Sequence, residues 1–270
     1  MSLRLFRRTW AAQRLKLVAV SVGLLIWATL MPLVYEAFKE QIQILLGSGS
    51  QFAQFAQFAQ FGGGDLFSLP GAIAVGFIHP IAVALSLVFA LGFAVAAVAG
   101  ERQRGTLEVL LARPLSRRRI YGTFLVATIV FVAIAIAAQV LGTIIGAALG
   151  GAMGELRPDR LAVMWLNGVL VFGAFGAVSL AASVSFDRLG PALGLSLAFV
   201  LISYFLEIIG SLWTAAKGLQ PYSLFHYLDP RGALNGTTTI ADWLVPIAVM
   251  AVAILTALTV FPRRDLAAPS

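Results

Sequence analysis

Apolar and charged positions fall in blocks along the chain. Runs almost free of charge occupy residues 17–35, 72–100, 120–150, 161–186, 189–212 and 243–262. A helix rises about 1.5 Å per residue, so even the shortest run comes close to covering the roughly 30 Å of a bilayer's hydrocarbon. The pattern predicts six transmembrane helices in an all-α polytopic membrane protein. The third run stays apolar as far as Gly154, longer than one crossing needs, and Gly150-Gly151 is its expected break. Residues 100–119 join the second and third spans, and 36–71 and 213–242 form long loops on the other side.

Residues 2–16 precede the first span and set Leu3, Phe6 and Trp10 at helical spacing against four arginines. Two readings stand: an amphipathic interfacial helix on the inner membrane surface, with Trp10 at headgroup depth, or a frayed basic tail. Between the first two spans, GSGSQFAQFAQFAQFGGG repeats Phe52, Phe55, Phe58 and Phe61 at every third position. On an α-helix that step drifts about 60° per repeat and spreads the rings over half the cylinder. The segment reads either as one that dips into the outer leaflet or as a low-complexity spacer.

Composition sharpens the picture. Of 270 residues 60% are hydrophobic and 11% charged, where a soluble domain carries roughly a quarter charged. Lipid must therefore solvate much of the surface. The net charge of +7 sits between apolar runs instead of along one face, which points to membrane orientation and away from nucleic acid. Fourteen of the 19 Lys and Arg fall in the N-terminus, the 100–119 loop, Arg188 and the C-terminus, against five on the opposite side. By the positive-inside rule both termini are cytoplasmic, as an even number of spans requires. With no cysteine and two histidines far apart, thiolate chemistry is excluded and no His-based metal centre is expected.

The connection GERQRGTLEVLLARPLSRRR carries more pattern than a tether needs. Thr106 stands near the N-cap of a short helix whose Leu107, Leu110 and Leu111 share one face, and Pro114 ends it. An apolar face beside Glu108 and a cluster of arginines suits docking into a groove on a partner protein; the plainer reading is a basic positive-inside loop. The stretch from Glu101 to Arg117, E-x-x-x-G-T-L-E-x-L-L-x-x-P-L-S-R, resembles the signature of type 2 ABC exporter permeases. The six-span layout, the N-terminal helix and the stretch Pro221–Pro230 share in the resemblance.

That resemblance implies a multi-pass inner-membrane protein of a bacterium or archaeon, paired with a second copy or a similar permease around a pathway through the lipid bilayer. It also implies two cytoplasmic ABC ATPase subunits, which carry the ATP and Mg²⁺, while this chain binds no cofactor. Glu101, Gly105, Thr106, Leu107, Glu108, Leu111, Pro114 and Ser116 become candidates for coupling to the ATPase, joined by Arg104, Leu110 and Arg117 from the same loop. The residues agree, since no G-x-x-x-x-G-K-[ST] phosphate loop occurs and ATP hydrolysis must come from elsewhere. Transport then competes with a mechanical or assembly role driven by the same ATPase. An intramembrane enzyme is disfavoured because Ser196 lacks a G-x-S-x-G frame and Glu207 has no second acid inside a span.

Three features inside the spans call for explanation. A carboxylate at the midplane costs on the order of 3 kcal/mol, so Glu207 is either a pathway residue or a structural group near the interface. His79-Pro80 kinks the second span and forms a gate, or rests at the outer interface. Gly142, Gly146 and Gly150 recur every four residues and leave a bare stripe for close helix packing. Asn167, Ser179, Ser183 and Ser185 bond across helices or face a cavity.

Overall fold

A computed structural model describes residues 1–47, 68–112 and 114–264, and all regular structure in them is helical. The phenylalanine repeat at 52–61 lies outside the described residues. Five helices are long and apolar enough to cross a membrane, and one bent pair makes a sixth span if counted as one.

The first helix, α1 (Leu3–Gly47), has 45 residues. The residues expected to form an interfacial helix, 2–16, are helical from Leu3 and run without a break into the first apolar run. Nothing in TWAAQRLKL breaks a helix: it holds no Gly or Pro, and Ala, Arg, Gln, Leu and Lys all favour the helical state. The second span is α2 (Leu69–Ile78) and α3 (Pro80–Leu87), bent by 52° and continued by π-wound turns at Val88–Phe93 and Ala96–Gly100. A short helix, α4 (Leu107–Leu111), precedes α5 (Arg117–Gly150), α6 (Pro158–Ser185) and α7 (Leu189–Leu212). Gly151, at φ 79°, ends α5 where the glycine pair predicts, and the N–H of Ala152 donates to Ala147 at 2.8 Å, a Schellman-type close.

After α7 the chain forms 3-10 turns at Thr214–Tyr222 and Leu224–Tyr227, then α8 (Pro230–Asn235) and the last span α9 (Ala241–Arg263). This segment folds back onto the bundle. Phe225 is buried and packs 4.8 Å from Phe175 and 5.6 Å from Tyr204, ring centre to ring centre.

Helices α5 and α6 form the buried centre, and α1 lies parallel to α5 along its length. Ser2 N–H donates to Thr123 Oγ1 at 2.8 Å, the Trp10 ring lies tilted 5.8 Å from that of Phe131, and Thr29 Oγ1 donates to the Gly142 carbonyl at 3.1 Å. The glycine stripe makes this seam possible. A Cβ on Gly142 would stand 2.3 Å from the Leu25 carbonyl oxygen, and one on Gly146 2.3 Å from that of Thr29, while Gly150 faces the Glu36 side chain. Bare helix faces let two backbones approach to a distance no other residue allows. Residue 2, the 101–117 loop and residue 264 all lie at one end of the bundle, called here the termini end.

Candidate functional site

The loop between the second and third spans is built from its own motif residues. Glu101–Gln103 continues the second span as one helical turn, and Gly105 reverses the chain at φ 69°, a left-handed conformation that favours glycine. The reversal brings Thr106 back over Glu101. Thr106 N–H donates to the Glu101 carbonyl at 2.9 Å, and its hydroxyl donates to Glu101 Oε2 at 2.7 Å. Arg104 Nη2 holds the other carboxylate oxygen at 2.5 Å. Thr106, directly before α4, thus closes the loop, and Arg104 and Glu101 pair with each other.

The side chains of Leu110 and Leu111 lie outside the described ones, and the first residues of α4 point in two directions. Leu107 is 2% exposed and belongs to the chain's own core, so it does not fill a partner's cleft as its periodicity suggests. Glu108 and Val109 face outward, Val109 at 63%. Pro114 is exposed beyond the helix, and Ser116 caps α5, its Oγ accepting from Arg119 N–H at 3.3 Å. The motif divides into residues that shape the loop and a small outward surface around Glu108.

A polar latch ties this loop to two other spans. Asp187, in the turn between α6 and α7, pairs with Arg102 of the loop and with Arg264 at the end of α9. Arg264 also donates to the Val184 carbonyl at 3.0 Å, Arg117 donates to the Phe261 carbonyl at 3.1 Å, and Leu189 N–H donates to Gln103 Oε1 at 2.9 Å. Deeper in, Ser183 Oγ accepts from Val98 N–H at 3.1 Å and Ala99 N–H at 3.0 Å and donates to the Val95 carbonyl at 2.6 Å. A single buried hydroxyl therefore serves three backbone groups of the π-wound end of the second span. Sequence reasoning passed over Asp187, whose signal was an acid beside Arg188 in a two-residue gap between apolar runs.

At the opposite end the candidate pathway residues do not converge. His79 lies at the bend of the second span, its ring 4.5 Å from Trp27 and its Nδ1 accepting from Ile81 N–H at 3.3 Å, and Pro80 is exposed beside it. Trp27 Nε1 donates to the Gly76 carbonyl at 2.9 Å, so the first span braces the break. Glu207 instead meets the 213–242 segment: Gln220 Nε2 donates to its Oε1 at 2.9 Å, and His226 Nδ1 lies 3.5 Å from its Oε2. Asn167 anchors the same segment, donating to the Tyr227 carbonyl at 2.8 Å and accepting from Asp229 N–H at 3.0 Å.

Glu207 holds the His226 imidazole above its ordinary value, against an opposing pull from partial burial, with Asp242 and Asp229 adding to the rise. A histidine raised in the folded state stabilises it fully below about pH 6.5 and loses that contribution as pH climbs through the raised value. Docking of this segment is therefore expected to be weaker at pH 8 than at pH 6. Thermal unfolding of wild type against His226→Gln measures it: the wild-type advantage shrinks with rising pH, and an advantage independent of pH contradicts the pair.

Comparison with known proteins bears on this architecture. The ABC-2 family transporter protein profile matches residues 11–266, nearly the whole chain and all of the motif loop. The chain belongs to the ABC-2 transporter family. No curated protein matches the chain. As an ABC-2 family protein it is a multi-pass membrane chain of an ABC transporter.

Proposed function

We propose that this chain is the pathway-forming permease subunit of an ATP-driven exporter, working as a dimer and coupled to two separate cytoplasmic ATPase subunits that bind ATP and Mg²⁺. Glu108 carries the reading: it is an exposed carboxylate two residues after Thr106, whose bonds to Glu101 close the loop. Val109 beside it offers a small apolar contact, and Leu107 anchors the helix to the core, so a push on α4 is delivered to this chain. The Asp187 latch and the Ser183 hydroxyl give that push routes to the fourth, fifth and sixth spans and to the second. The excess of Lys and Arg at the termini end supports placing the loop in the cytoplasm of a bacterial or archaeal cell. A partner shifts the permease between two states only through different affinities for them.

The test uses the permease co-purified with an ABC ATPase in lipid vesicles. Glu108→Lys is expected to lower permease-stimulated ATP hydrolysis at least roughly tenfold, since a reversed charge at an interface costs several kcal/mol. Folding should be unchanged because the side chain is exposed. Wild-type stimulation in the variant removes Glu108 from the contact, and failure of any ABC ATPase to associate removes the proposal.

A further inference from the structure

Beside the start of the first span lies a cavity of about 210 Å³. Sites for whole drug-sized ligands run to about 300–1,000 Å³, so this one has room for a headgroup and not for a complete amphiphile. Its apolar walls come from buried Leu5 on α1, Phe93 on the π-wound end of the second span and Phe124 on α5. Its polar groups are different in kind: Arg8, Lys16 and Arg104 all line it, and Glu101 is the acid among them.

The charges do not balance. Glu101 is already held by Arg104 and Thr106. Arg8 and Lys16 have no carboxylate partner among the described residues, and the Lys16 ammonium rests 5.9 Å from the ring centre of Phe89. Position matters as much as charge. Lys16 is the last cation before the apolar run of the first span, and Glu101 is the first charge after that of the second. The cavity thus sits where hydrocarbon gives way to headgroups, the depth at which cations and phosphates meet.

Arg8 and Lys16 are exposed at the cavity's edge, so a neutral apolar occupant makes no use of their charge, and a soluble anion makes none of the phenylalanine and leucine walls. An amphiphile with a phosphate satisfies both halves. We propose that this cavity binds the phosphate headgroup of an anionic phospholipid from the leaflet at the termini end, with Arg8 and Lys16 taking the phosphate and Phe93 and Phe124 facing the start of the acyl chains. The site reaches the motif loop through Arg104, which lines the cavity and grips Glu101 at once. The assignment needs the bilayer and not the ATPase, so it stands or falls apart from the exporter reading.

Native mass spectrometry of the full chain, delipidated in detergent and titrated with phosphatidylglycerol or phosphatidylcholine of matched chains, tests it. Wild type is expected to prefer phosphatidylglycerol, and Arg8→Gln with Lys16→Gln together should lower that preference roughly twentyfold, as two headgroup-level cations are removed. Arg118→Gln with Arg119→Gln, exposed cations outside the cavity, should leave it intact. Unfolding midpoints in phosphatidylcholine nanodiscs report folding, and if the double variant does not fold, each single variant is expected to lose preference by roughly fivefold. The proposal is overturned if the cavity variants keep the wild-type preference or if the control pair loses as much. Full displacement by millimolar inorganic phosphate also overturns it, assigning the cavity to a soluble anion.

Discussion

Gly142→Ala is expected to destabilise the folded protein by about 3 kcal/mol, at the upper end of the range for overpacking a well-packed interior. The added methyl would stand 2.3 Å from the Leu25 carbonyl oxygen and 3.0 Å from Ala28 Cβ. Neither obstacle is the free end of a flexible side chain, so α1 and α5 would have to move apart. That separation stretches the Thr29 hydroxyl bond to the Gly142 carbonyl, now 3.1 Å, and opens the seam toward Gly146. Gly122→Ala provides the matched control, being the same substitution in the same helix where the new methyl meets nothing within 4 Å. There the better helix propensity of alanine should leave stability unchanged or raised by up to about 1 kcal/mol. Unfolding midpoints in lipid nanodiscs decide it: equal midpoints for the two variants would falsify the close approach of the first and third spans.

Ser183→Ala carries the second large effect. Two buried N–H groups, of Val98 and Ala99, would lose the oxygen that accepts from them, and an orphaned buried donor costs about 1–3 kcal/mol. The expected loss is about 2–6 kcal/mol, taking the two donors together. Ser185→Ala is the comparison, because Ser185 Oγ bonds only the Ala181 carbonyl of its own helix at 2.7 Å. Such a back-bond supports no neighbouring element, so its removal should change little. The loop offers an independent readout, since Arg104 is exposed just beyond the π-wound turns. Trypsin should cut there faster in Ser183→Ala than in wild type or Ser185→Ala. Identical cleavage and stability in the two alanine variants would show that Ser183 does not hold the second span.

Much of this was legible in the residues, for reasons that can be named. The fifth apolar run forms the helix Leu189–Leu212, with Glu207 the one charge inside it. The Gly142, Gly146 and Gly150 stripe announces close packing through its spacing alone, although only the fold identifies α1 as what it packs on. Periodicity marked Leu107 as part of an apolar face but is silent on which protein buries it, and for Leu107 the core of the same chain does so. Residues 2–16 looked separate because their charge differs from the span that follows, yet charge does not end a helix; a breaker does, and none is present. The π-winding left no trace, since a uniformly apolar stretch has no periodicity to lose. Asp187 was hidden by the counting of cations, which gives an acid no weight.

The uninterrupted course of α1 joins the two sides of the molecule mechanically. Forty-five residues at 1.5 Å each make a strut of about 67 Å. Swinging it by ten degrees about its midpoint would carry each end through about 6 Å, a displacement comparable to one helical turn. Arg8 and Lys16 ride on one arm of that strut and Glu36, beyond Pro32, on the other, so a rocking of the stretch before that proline carries the cations with it.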